Sequence, residues 1–201
     1  MPLPNVQRSG WQSLAYIKNE SFICGYCGDR ISSDRGYRLG QYPDGSGSQV
    51  GGAYLCPNCN CITMITPGGG KYPGHVPGSP VKHLPSDIDV LFEEARRCVS
   101  QNCFTAAAMI CRKILMNTAV ERGAKPNQTF IEYVNHLSDQ GYIPPNGKHW
   151  VDHIRKKGNE ATHEILLMKE KDATDLLFFV EMLLRFVHEF PNMIPKEEPK
   201  K

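Results

Sequence analysis

The chain carries little net charge: 23 lysines and arginines stand against 21 aspartates and glutamates, a formal +2. So even a balance sets up no strong global field, and it excludes capture by nucleic acid or anionic membrane through bulk charge alone. Long apolar runs are missing as well. The most hydrophobic stretch, Leu176–Val187, spans 12 residues and is interrupted by Glu181 and Arg185, whereas a bilayer crossing takes roughly 20 apolar residues. This stretch is expected to be a buried helix, with no membrane partner. The leading residues MPLPNVQRSGWQS lack the apolar centre of a secretory signal, so a reducing, cytoplasmic location is expected. No internal repeat is visible.

Cysteine is not scarce. There are eight, and without an export signal they read as metal ligands and buried thiols rather than disulfides. Four of them form two Cys-x-x-Cys turns, Cys24-Gly-Tyr-Cys27 and Cys56-Pro-Asn-Cys59. The 28 residues between the turns hold no further cysteine or histidine. Each turn presents two sulfurs to one ion, and two turns complete the tetrahedral S4 set that Zn2+ prefers. With all four positions filled by protein, the expected zinc is structural. Gly28 follows the first turn and Asn60 the second. These are the two residue types that best tolerate the left-handed backbone needed to aim N–H groups at sulfur. Cys61 stands two residues beyond Cys59 and is a possible substitute ligand, although the tighter spacing favours Cys59.

The texture of the chain divides it. Residues 1–66 are rich in glycine and aromatics, with extended stretches expected at 36–42, 49–55 and 61–65 and a turn at Pro43–Gly47. Too few aliphatic residues are present for a core of their own, which makes the metal the folding element. Arg8, Lys18, Arg30, Arg35 and Arg38, with Tyr26, Tyr37 and Tyr42, offer a modest face for nucleic acid. Residues 67–85 hold five prolines and five glycines and are expected to be a linker. From 86 to 192 the pattern turns helical, with helices expected near 86–101, 104–122, 129–139, from 149, and over 172–189. Ser86 is the expected N-cap of the first and Pro191 the stop of the last. This stretch has 13 basic and 15 acidic residues, so it is not a basic domain. A mobile tail is expected over 193–201. The fold class is therefore α+β: a small β-rich zinc ribbon, then an all-α bundle of about five helices.

Near the fourth helix, Arg155, Asn159 and His163 recur every four residues, which places them on one helical face if the helix continues through Gly158. One reading of the row is structural, with its polar groups satisfying backbone carbonyls and pairing with Glu93 or Glu94. Arg112 on the second helix invites the same ion-pair reading. His149 and His153, four apart, read as surface residues.

Several separated motifs resemble the domain-of-unknown-function 4145 family of bacteria. They are Leu84-Pro85-Ser-Asp-Ile, Glu93-Glu94-Ala95, Ala106–Leu115, Ile154–His163 and Leu183–Pro191. The resemblance covers about 81–191, and the cysteine turns look like those of relatives with an N-terminal ribbon. It implies a setting in prokaryotic restriction-type defence or nucleic-acid metabolism. The family is similar to the broader HEPN group of helical bundles, some of which are metal-independent ribonucleases. In those, an arginine and a histidine four to six residues on perform catalysis across a dimer. Here Asn159-Glu-Ala-Thr-His163 fits the second half of that motif, while Gly158 occupies the arginine's place. The expectation is therefore a zinc-binding accessory or binding module that is not itself catalytic. Two alternatives stand beside it: a HEPN-like ribonuclease using Arg155, Asn159 and His163, and a dimerisation module for a larger enzyme. A homodimer is expected, with a protein or nucleic acid as a further possible partner.

Overall fold

The structure, a computed structural model, describes residues 10–143 and 167–193. The chain divides into two compact units, 1–76 and 77–201. The first is an antiparallel sheet of strands in sequential order: β1 Ala15–Ile23, β2 Arg30–Gly40, β3 Gln49–Leu55, β4 Ile62–Ile65 and β5 Lys71–Tyr72. The second holds α1 Ser86–Ser100, α2 Phe104–Glu121, α3 Phe130–Asp139 and α4 Glu170–Leu184. A π-helical turn, Arg185–Glu189, and a last α-helical turn, α5 Phe190–Met193, follow α4. The architecture is α+β. The expected helix from His149 lies outside the described residues, as does the expected tail from 194 on; Met193, expected in that tail, closes α5.

The sheet departs from its sequence pattern at both ends. β1 was not expected as a strand, because its residues AYIKNESFI show no alternation of apolar and polar. It forms by pairing with β2, with an irregular register between Tyr16 and Glu20. β5 lies within the stretch expected to be a linker, and pairs Met64 with Tyr72 and Ile65 with Lys71. The core of this unit is Phe22, Ile31, Tyr54 and Ile65, completed by Cys24, Cys56, Cys59 and Cys61. Half of this buried hydrophobic cluster is therefore cysteine. Phe22 meets Tyr54 edge to face, with centroids 6.0 Å apart.

The helical unit is built around a large aliphatic core. Phe92, Ala95, Ile114, Leu115, Val134, Leu137, Leu177, Phe179, Val180, Leu183 and Leu184 are almost wholly buried. α3 begins with a complete capping box: the Thr129 hydroxyl accepts from the Glu132 amide, and the Glu132 carboxylate accepts from the Thr129 amide. α1 starts differently from expectation. Pro85 holds the N-cap position and Ser86 is already helical, its hydroxyl turned to the Asp87 carboxylate at 3.4 Å. Proline suits a helix start because its missing N–H would be unpaired there anyway.

Ahead of α1, the segment 77–80 is pinned to the helices. Arg96 donates from Nε to the Pro77 carbonyl and from Nη2 to the Gly78 carbonyl, both at 2.9 Å. The Ser79 amide donates to the Glu181 carboxylate at 3.1 Å. Glu93 pairs with Arg96, and the Arg112 guanidinium lies 4.2 Å over the Phe130 ring.

Candidate metal centre

The two cysteine turns fold alike because the same local chemistry acts twice. In the first, the Gly28 amide donates to the Cys24 carbonyl and the Cys24 amide to the Asp29 carbonyl, both at 2.9 Å. In the second, Asn60 donates to Cys56 and Cys56 to Cys61, again at 2.9 Å. Gly28 has φ +78° and Asn60 φ +58°, the left-handed conformation for which both were singled out. Gly25 answers a different demand. A Cβ there would lie 2.3 Å from the Pro73 carbonyl oxygen, so only glycine lets the 73–74 backbone pass over the first turn. Trp11 braces the second turn, its indole N–H donating to the Asn60 carbonyl at 2.9 Å.

The sulfurs of Cys24, Cys27, Cys56 and Cys59 all lie within 4.8 Å of one another. Cys24 and Cys59 are 3.6 Å apart, and Cys27 and Cys56 3.8 Å. Four sulfurs about 2.3 Å from one ion at tetrahedral corners would be about 3.8 Å apart, whereas a disulfide brings them to about 2.05 Å. The spacing is that of a metal cage. Cys61 is not among the four. Its thiol turns toward the Cys59 carbonyl at 3.6 Å.

The electrostatics of the four thiols are uneven. Burial pulls the Cys24 thiol up, but the amides of Cys27 and Tyr26 and the neighbouring thiols of Cys59 and Cys27 outweigh it, so Cys24 ionises more readily than an ordinary thiol. Burial pushes Cys27 up to about 12 and Cys59 well above the usual range. An ion binding at these sulfurs must displace the thiol protons. The Asp29 side chain touches the Cys27 thiol and accepts from the Asn58 amide at 3.1 Å. These outer contacts, with Trp11, join turns 1 and 2 to their surroundings. Sequence spacing gave no sign of them.

A family model described as Domain of unknown function (DUF4145) matches residues 93–199, just over half of the chain. The chain belongs to the DUF4145 family. No curated protein and no solved structure matches it. The DUF4145 match begins within α1 and takes in α2, α3 and α4, and the cysteine cage precedes it. Arg155, Asn159 and His163 belong to the DUF4145 region but lie outside the described residues, as do His149 and His153.

The sheet also presents a face. The register lines up Tyr37, Ala53, Met64 and Tyr72 as one cross-strand row over β2 to β5, and Tyr37, Met64 and Tyr72 are each 38–47% exposed. The Tyr37 hydroxyl donates to the Gln12 carbonyl. Beside the row, Arg35 pairs with Tyr16 across β1 and β2, its guanidinium 5.1 Å from the ring centroid. Tyr26 is 37% exposed and Tyr42 56%. Among the described residues, no helix is long and apolar enough to cross a membrane.

Proposed function

We propose that this DUF4145 protein is a zinc-stabilised binding module: its metal is structural, and it works by contact rather than catalysis. The observation that carries the reading is the set of four converging sulfurs on Cys24, Cys27, Cys56 and Cys59. An S4 donor set is that of structural zinc, and it fills the coordination sphere so that no position is left for a substrate. In this reading the first unit is a zinc ribbon. The second is a HEPN-like bundle of about five helices, the fourth being the one expected from His149.

The contact surface we propose is the row Tyr37–Ala53–Met64–Tyr72 with the Arg35–Tyr16 pair beside it. Exposed aromatic rings stack unpaired bases, and a neighbouring guanidinium suits phosphate. Single-stranded nucleic acid is the partner this chemistry fits. The proposed setting, cytoplasmic nucleic-acid metabolism or restriction-type defence, rests on that face and on the family resemblance. The chain is further proposed to pair with a second copy through the stripe Phe178, Met182, Phe186 and Phe190, which runs from α4 through the π-helical turn to α5. Arg185 on its rim is held by Glu181 and Glu189, so the four side chains of the strip itself are apolar and suit the same strip on a second copy.

The test joins metal analysis to a titration. Untagged protein should contain one zinc per chain. Labelled single-stranded oligonucleotide should bind it with an affinity that falls as salt rises, by a slope of about −0.7 per phosphate contacted. Tyr37→Ala should weaken binding roughly 5- to 150-fold, the equivalent of about 1–3 kcal/mol per stacked base. A full complement of zinc with no salt-dependent binding would keep the cage and remove the nucleic-acid partner.

A further inference from the structure

Besides Cys61, three cysteines lie outside the metal cage, and all three are on the helical unit: Cys98, Cys103 and Cys111. The first two sit at the joint between α1 and α2, and the backbone there has a specific form. The Cys103 amide donates to the Cys98 carbonyl at 2.8 Å, and the Asn102 amide to the Val99 carbonyl at 3.0 Å. Asn102 adopts φ +61°. A bond spanning six residues enclosing one spanning four, with a left-handed residue after the cap, is the Schellman ending of a helix. That ending brings two side chains together: the third residue before the cap and the second after it. Here both are cysteine.

We propose that Cys98 and Cys103 form an oxidant-responsive thiol pair, with Cys103 as the site of attack by a hydroperoxide and Cys98 as the resolving thiol. The roles follow from exposure. Cys103 is exposed at the start of α2, while Cys98 is half-buried against the helical core. Reactive thiols are the accessible ones, and a neighbouring thiol turns a first oxidation into a reversible bond. The hydrogen bond between the two residues holds their backbones within the span that a disulfide bridges, about 4.4–6.8 Å between Cα atoms. The two thiols also feel each other electrostatically, since burial and then the Cys103 charge push the Cys98 thiol up. Cys111 is wholly buried and burial pushes it up to about 12, so it stays out of the exchange.

The chemistry balances with the peroxide as the sole oxidant. The Cys103 sulfur attacks the terminal peroxide oxygen, and an S–O bond forms as the O–O bond breaks. The departing oxygen takes a proton and leaves as water from hydrogen peroxide or as the alcohol from an organic hydroperoxide. Cys103 is then a sulfenic acid. The Cys98 sulfur attacks it, an S–S bond forms as the S–O bond breaks, and water leaves with the Cys98 proton. Two thiols have lost two electrons, and the peroxide has gained them. A thiol reductant reverses the change. In a reducing compartment such a bond is transient, as regulatory disulfides are.

The first measurement uses the zinc-loaded full chain without substitution, so no folding defect can obscure it. Protein is treated with hydrogen peroxide, alkylated and digested with trypsin, which releases residues 98–112 as one peptide between Arg97 and Arg112. The expected product is that peptide lighter by two hydrogens, with Cys111 alkylated, no fragmentation between Cys98 and Cys103, and full reversal by dithiothreitol. In Cys98→Ser, Cys103 should stop at the sulfenic acid and be trapped by dimedone. The pair is refuted if Cys98 remains alkylatable while Cys103 is consumed to sulfinic acid or to a bond between chains. It is equally refuted if the peptide is unchanged under peroxide that already empties the metal cage.

Discussion

His188 lies 6% exposed in the π-helical turn, with its Nε2 3.7 Å from a Glu121 carboxylate oxygen and no hydrogen-bond partner among the described residues. Burial pulls its pKa below the ordinary 6.5. Glu121 opposes that shift, and Arg122 reinforces it. The folded chain therefore takes up this proton at lower pH than the unfolded chain does. Stability from the neutral imidazole is complete above about pH 6.5 and is lost as pH falls through the folded value. Urea midpoints measured over that interval should fall with acid in the parent, and His188→Gln should flatten the fall. An unchanged slope in the variant would show that His188 titrates alike in both states. Residues whose demands are local were the legible ones: Gly28 and Asn60 follow their cysteine turns because the turn itself requires a left-handed residue. The setting of His188 was not legible, since Glu121 and Arg122 reach it from a helix more than 60 residues earlier.

Pro191 shows why helix ends are harder to read than helix centres. It was expected to stop the last helix, and instead it lies inside α5. Proline removes the donor that the carbonyl four residues earlier would receive, here Val187. Two features absorb the loss. The Phe190 amide donates to Arg185, five residues back, which makes the turn before the proline π-helical. The Val187 carbonyl is met at 3.2 Å by Nη2 of Arg122, the residue that caps the end of α2. Arg122→Met should then cost about 1–3 kcal/mol, the penalty of a buried carbonyl left without a donor. In a Pro191→Ala background, residue 191 supplies that donor itself and the same substitution should cost distinctly less. Denaturant melts of the four proteins close the cycle, and equal costs in both backgrounds would disprove the compensation. Elements with a strong internal pattern, α2 and α3 among them, were legible to within a residue or two. β1 was not, because its sequence carries no period and its pairing comes from β2.

At the scale of the whole chain, the two units hold themselves together by different means. The helical unit buries a broad aliphatic core, enough to order it without a cofactor. The sheet unit has only four non-cysteine residues in its buried hydrophobic cluster and completes it with sulfur, so its folding should depend on the metal. Structural zinc in comparable small sites contributes about 10–16 kcal/mol of apparent binding energy, more than the total stability of most domains. A strong chelator at neutral pH should therefore unfold residues 1–76 and leave the helices in place. Trp11 makes this measurable, since its indole is bonded to Asn60 on the second cysteine turn. In a Trp150→Phe background its emission should shift to the red on chelation, and the sheet unit should become open to proteolysis. The helical circular dichroism should persist and melt separately at higher temperature. Cys56→Ser should reproduce the chelated state without chelator, because three thiolates and a hydroxyl hold zinc far more weakly than four thiolates do. Loss of both signals in one transition would mean that the helical core does not stand alone, and an unmoved Trp11 would mean that the sheet folds without its ion.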